Sequence, residues 1–101
     1  MGLRFVFDPQ KSESNRKKHG LDFVAAQELW LGPTLEIQAK TEVEKRWVVL
    51  GKIGESHWTA IITRRADWLR IISVRRSREE EKELYENRSQ AHFGKGFGSK
   101  I

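Results

Sequence analysis

Three apolar runs dominate the second half of the chain: R-W-V-V-L-G-K-I (Arg46–Ile53), S-H-W-T-A-I-I-T (Ser56–Thr63) and W-L-R-I-I-S-V (Trp68–Val74). Only Gly54-Glu55 and Arg64–Asp67 separate them. A crossover between parallel neighbours takes roughly a dozen residues or more, whereas a hairpin closes in about two to five. Consecutive antiparallel strands are therefore the arrangement these gaps permit. A weaker run, Thr34–Ala39, precedes them, and the short aromatic-rich L-R-F-V-F (Leu3–Phe7) reads as a first strand.

Helical signals fill the intervals. Asp8 can cap a helix that has Pro9 at its first position and Gly20 as its C-terminal stop. That stretch is polar almost throughout, so it is expected to rest lightly on the body, with Lys11, Asn15 and Lys18 sharing one face. Asp22 can cap a second helix through Leu31. Its stripe of Phe23, Ala26 and Trp30, with Leu29 beside it, belongs to the core, and Gly32-Pro33 ends it. Ser77, with Glu80 three residues on, has the pattern of a capping box opening a last helix, which Leu84 and Tyr85 attach to the body. The order is strand, two helices, four strands, helix. It predicts an α+β domain over residues 1–91, with a four-stranded, mainly antiparallel sheet following the N-terminal strand and the helices on one face. The glycine-rich end, residues 92–101, is expected to be a mobile tail.

Charge is distributed unevenly. The net charge is +5, yet residues 1–44 carry −1 and residues 45–101 carry +6. Six arginines (Arg64, Arg65, Arg70, Arg75, Arg76 and Arg78) crowd between positions 64 and 78 against one acid, Asp67. Such one-sidedness points to a polyanion, because a guanidinium grips phosphate oxygens in pairs and keeps its charge at any physiological pH. A merely solubilising basic surface is the competing reading. There is no cysteine, which suits a reducing cytoplasm and excludes thiolate metal sites. Histidines at 19, 57 and 92 lack metal-ligand spacing, so no cofactor is expected.

D-P-Q-K-S-E-S-N-R-K-K-H-G-L-D-F (Asp8–Phe23), E-K-R-W (Glu44–Trp47) and R-I-I-S-V-R (Arg70–Arg75) stand in an order that resembles the BrnT family, toxins of bacterial type II toxin–antitoxin pairs. The similarity runs from about Leu3 to Tyr85. It implies a fold similar to RelE-type ribonuclease toxins and metal-independent cleavage of RNA. It also implies neutralisation by a BrnA-like antitoxin carrying a ribbon-helix-helix DNA-binding domain.

Cutting RNA without a metal requires a base for the 2′-hydroxyl, fixed cations for the phosphorane and an acid for the leaving oxygen. The candidate catalytic residues are Arg64, Arg75, Arg76 and His57; the candidate RNA contacts are Lys11, Arg46, Trp47 and Arg70. Strand parity constrains them. In a regular strand Arg70 and Arg75 face opposite sides, so a strand ending before Arg75, freeing Arg75 and Arg76 at the junction with the last helix, is expected. Arg64 falls at the other end of the hairpin. Arg70 reads equally as a structural partner of Glu44 or another acid. His57 is the conventional proton carrier, with an ordinary strand histidine the alternative, and Glu44, Lys45 and Tyr85 are further acid–base candidates. His19 reads as a helix-end histidine beside the dipole. Trp47, next to Arg46, suggests a ring beside a cation on which a base can stack. The competing function is a non-catalytic nucleic-acid-binding or co-repressor module.

Overall fold

The computed structural model describes residues 4–39 and 45–88. Leu3, Glu44 and the tail from residue 92 onward, which figure in the expectations above, lie outside the described residues.

Strand β1 (Phe5–Val6) leads into helix α1 (Pro9–His19), a 3-10 helix (Ala25–Leu31), strands β2 (Leu35–Ala39), β3 (Arg46–Ile53), β4 (Ser56–Arg64) and β5 (Leu69–Arg76), and helix α2 (Glu79–Glu86). The two hairpins predicted from the short gaps form, β3–β4 and β4–β5 being antiparallel, and β2 also pairs antiparallel with β3. The sheet has five strands rather than four, in the order β1-β5-β4-β3-β2. Strand β1 joins it parallel to β5, through Phe5 opposite Leu69 and Val6 opposite Arg70. A long connection through two helical segments makes that parallel return possible.

Antiparallel partners share a sheet face. Trp58, Ala60 and Ile62 of β4 pair with Arg76, Val74 and Ile71 of β5. This face carries the core, where Phe23, Ala26 and Leu29 are fully buried against Val49, Ala60, Ile62 and Val74. The expected second helix is here a 3-10 helix, with Asp22 Oδ1 accepting from the N–H groups of Val24 and Ala25 at 3.1 and 2.8 Å. Its tighter winding still delivers Phe23, Ala26 and Leu29 inward. It packs so close to β3 that a Cβ on Gly51 would lie 2.8 Å from Leu29 Cδ2.

Helix α1 begins and ends as its sequence predicts: Asp8 accepts from the Gln10 N–H at 2.9 Å, and Gly20 closes the helix in the left-handed region at φ 85°. With no apolar stripe, the helix docks through polar groups. Asn15 is buried and forms a two-way amide pair with the Val74 backbone, donating to its carbonyl at 2.8 Å and accepting from its N–H at 3.1 Å. The same side-chain amide donates to the Leu21 carbonyl at 2.7 Å, while Ser12 accepts from the Phe23 N–H at 2.9 Å. Strand β1 pairs only with the first residues of β5, so Asn15 takes over as a surrogate strand where β1 stops. Lys11 and Lys18 flank it on the same side of the helix, as their spacing requires.

Candidate active site

The second sheet face carries His57, Thr59, Ile61 and Thr63 of β4, with Arg75, Ser73 and Arg70 of β5 opposite the last three. That alignment depends on one irregularity. Ile61 pairs with Ser73 but Ile62 pairs with Ile71, leaving Ile72 as an extra residue in β5. A bulge resets the alternation of every side chain beyond it. Strand β5 therefore does not end before Arg75, as expected, but continues to Arg76. The bulge brings Arg70 and Arg75 to one face, and Arg76, beyond Arg75, turns to the other.

Helix α2 lies over one end of this face. Its first turn is shifted by one residue from the capping box expected at Ser77 and Glu80: Arg78 is the N-cap, and its N–H donates to Glu81 at 2.8 Å. Glu81 also holds Arg75 in a two-pronged ion pair, Nη1 to Oε1 at 2.9 Å and Nη2 to Oε2 at 2.8 Å. Thr59 Oγ1 donates to the same carboxylate at 3.0 Å, so the 2.8 Å bond between Thr59 and Ser77 has the Ser77 hydroxyl as donor. The Arg75 guanidinium, first of these partners in effect, holds the Glu81 carboxyl down at about 2. Glu81 in turn raises the pKa of Arg75, keeping it a fixed cation.

His57 lies on the same face, one pleat beyond Thr59. Its Nε2 is 2.6 Å from Glu86 Oε2, and its ring meets Tyr85 edge-on at 5.8 Å. With Nε2–H donating to the carboxylate, Nδ1 is the nitrogen left to take a proton. The hydrogen bond from His57 keeps the Glu86 carboxyl below its ordinary range. Tyr85, another acid–base candidate, is buried and donates to the Pro33 carbonyl at 3.0 Å, which ties its hydroxyl to the scaffold.

At the other end of this face a cleft of about 460 Å³ opens beside the bulge. Lys11 from α1, Arg46 from β3 and Arg70 from β5 line it, together with Asp8 and parts of Val6, Phe7, Ile71 and Ile72. A smaller hollow of about 190 Å³ continues it along α1 past Lys18 and His19. Three of the four expected RNA contacts thus meet in one place. Lys11 and Arg70 have no hydrogen-bond or ion-pair partner among the described residues. Four of the other five arginines of the crowded segment are engaged: Arg64 by Glu36 at 2.6 Å, Arg65 over Trp68, Arg75 by Glu81, and Arg76 over Trp58 at 5.3 Å.

The remaining sequence candidates lie apart. Trp47 and Arg46, adjacent in a strand, face opposite ways, so Trp47 packs against the core and not in the cleft. The cation over its ring is Arg64, 5.2 Å away. Arg64 and Arg76 both belong to the core-side face, at opposite ends of the β4–β5 ladder. Glu81 and Glu86 are not among the candidates read from the sequence. The available signal was the set of acids on the helix that directly follows Arg75 and Arg76. Among the described residues no group of three His, Asp or Glu side chains is placed to hold a metal ion, and no helix is long and apolar enough to cross a membrane.

A family model described as ribonuclease toxin, BrnT, of type II toxin-antitoxin system matches residues 7–81. No curated protein matches the chain. The matched span takes in the cleft from Phe7 through Arg70 as well as Arg75 and Glu81; Glu86 lies beyond it.

Proposed function

From the premise that this chain belongs to the BrnT family of type II toxin–antitoxin ribonuclease toxins, we propose that it is a metal-independent endoribonuclease acting in the cytoplasm. RNA phosphates bind in the Lys11–Arg46–Arg70 cleft, and cleavage takes place further along the same sheet face, at Arg75 and His57. The observation that carries this reading is the bulge at Ile72, which gives Arg70 and Arg75 a common face. Their partners on β4, Thr63 and Thr59, are four residues apart, a distance of about 13 Å at the usual strand rise. One strand of RNA can span that distance.

Each residue has a chemical role in this proposal. Lys11 and Arg70 offer phosphate oxygens donors that no described residue already occupies. Arg75, locked by Glu81, is the preorganised cation that meets the growing charge of the phosphorane, and removal of one such donor typically costs about 10²–10³ in rate. His57, oriented by Glu86, takes the 2′-hydroxyl proton at Nδ1 and passes a proton to the leaving 5′-oxygen. Arg64, Arg76 and Trp47 lie off this face and have no part in the reaction.

The neutralising partner in this proposal is a BrnA-like antitoxin with a ribbon-helix-helix domain, which silences the toxin by covering the basic face. Expression of the chain alone tests the reading. Growth should stop and cellular RNA should fragment, and co-expression of the antitoxin should restore both. Normal growth with intact RNA, from folded protein, would overturn it. Salt-sensitive RNA binding without products would favour the non-catalytic binding module, which needs cations such as Lys11 and Arg70 but no reacting groups.

A further inference from the structure

The cleft beside the bulge contains one residue that its cations do not explain. Lys11, Arg46 and Arg70 suit a phosphodiester, but Asp8 lines the same cleft and repels one. Its structural task is to cap α1, through Oδ1 accepting from the Gln10 N–H at 2.9 Å. That task needs only an acceptor, and asparagine or serine caps a helix about as well without a charge facing the ligand. The other oxygen, Oδ2, has no hydrogen bond or ion pair with any described residue.

We infer that Asp8 reads a nucleobase, making the cleft a subsite for one unstacked guanine whose flanking phosphates lie on Lys11, Arg46 and Arg70. The volume of about 460 Å³ is within the usual range of small-molecule pockets, roughly 300–1,000 Å³. Its lining is mainly polar, and the half-buried Val6 and Ile72 add the apolar part against which the face of a base can rest. Single-stranded RNA is read by splaying bases out and bonding their Watson–Crick edges. An ionised carboxylate only accepts, and it has room for two donors at once. Guanine presents two neighbouring donors on that edge, N1–H and the N2 amino group. Adenine and cytosine present an amino group beside an acceptor, and uracil presents one N–H between two carbonyls that a carboxylate repels. Guanine is therefore favoured and uracil disfavoured most.

The inference rests on the reading that RNA occupies this cleft, and two measurements keep the two claims separate. Binding of 2′-O-methyl pentanucleotides, which cannot be cut by attack of the 2′-hydroxyl, is followed by fluorescence anisotropy with guanine or uracil at the central position. The wild type should prefer guanine about tenfold, the scale of a paired contact to a base edge. In Asp8→Asn and Asp8→Ser, which preserve the cap and hence the melting temperature, the preference should fall to within about twofold. Mapping the cut ends of a mixed-sequence RNA should show the same loss of guanine from the cleaved sites. Equal wild-type binding of the two oligonucleotides overturns the inference, as does a guanine preference that survives both substitutions. Guanine-selective binding without any cleavage would instead remove the nuclease reading and leave the subsite standing.

Discussion

Replacing Glu81 by glutamine measures how firmly α2 holds Arg75. The carboxylate accepts two bonds from Arg75 and one each from Thr59 and the Arg78 N–H, and its pKa falls from the ordinary 4.5 to about 2. A folded-state pKa below the unfolded value means a stabilising contribution that is complete above about pH 4.5 and is lost as the pH falls towards 2. At about 1.4 kcal/mol per unit the unscreened contribution is ~3 kcal/mol. Solvent reaches the pair, the Arg75 side chain being 27% exposed, and screening reduces this to about 1–2 kcal/mol. For a domain of this size each kcal/mol shifts the melting temperature by roughly 4–8 °C. Urea unfolding, followed by tryptophan fluorescence at pH 7, 5, 3.5 and 2, is the assay. Glu81→Gln should be less stable than the wild type by about 1–2 kcal/mol at neutral pH, with the gap closing as acid neutralises the native carboxylate. A gap of constant size across that range would show that the Arg75–Glu81 pair does not carry the stability assigned to it.

Three further perturbations probe the scaffold and the cleft. Lys11→Ala and Arg70→Ala should each weaken RNA binding at every sequence and lower the slope of log affinity against log salt by about one, as loss of a phosphate contact does; an unchanged slope would move the binding face elsewhere. Asn15→Leu removes the bonds to Val74 and Leu21. It leaves buried backbone groups unpaired at about 1–3 kcal/mol each, so its chemical denaturation midpoint should drop well below that of the exposed control Ser14→Ala. Gly51→Ala drives a methyl against Leu29, 2.8 Å from its Cδ2, and should cost about 1–3 kcal/mol by overpacking. Recovery of the midpoint in the double variant with Leu29→Val would confirm the contact.

The hairpins were legible because gap lengths alone forbid the alternatives, and the cap at Asp8 and the stop at Gly20 because both use residue types with a conformational reason to be there. The bulge was not legible. R-I-I-S-V-R carries no residue that marks an insertion, and the extra residue is revealed only by the pairing of Ile61 and Ile62 with β4's neighbour. Parity read from the sequence therefore separated Arg70 from Arg75, while the folded strand unites them. Helix α1 lacks an apolar stripe, so nothing in its periodicity pointed to Asn15 as its anchor; a buried amide pairing with a strand edge is a tertiary event. Arg46 and Trp47 present the opposite case: their adjacency suggested a ring beside a cation, although strand alternation alone parts them. Charge composition located the arginines but not their engagement. Only the structure distinguishes Arg64 and Arg76, held against rings, from Arg70, which has no partner among the described residues.

The most direct measurement is single-turnover cleavage of a labelled RNA in EDTA by the wild type and by Arg75→Ala, with binding measured in parallel. The account predicts cleavage by the wild type without a divalent ion. It predicts a fall of about 10²–10³ in the rate for Arg75→Ala, with RNA affinity changed far less, since Lys11, Arg46 and Arg70 still hold the strand. Intact RNA with the folded wild-type protein, or an Arg75→Ala variant that cuts at the wild-type rate, would contradict it.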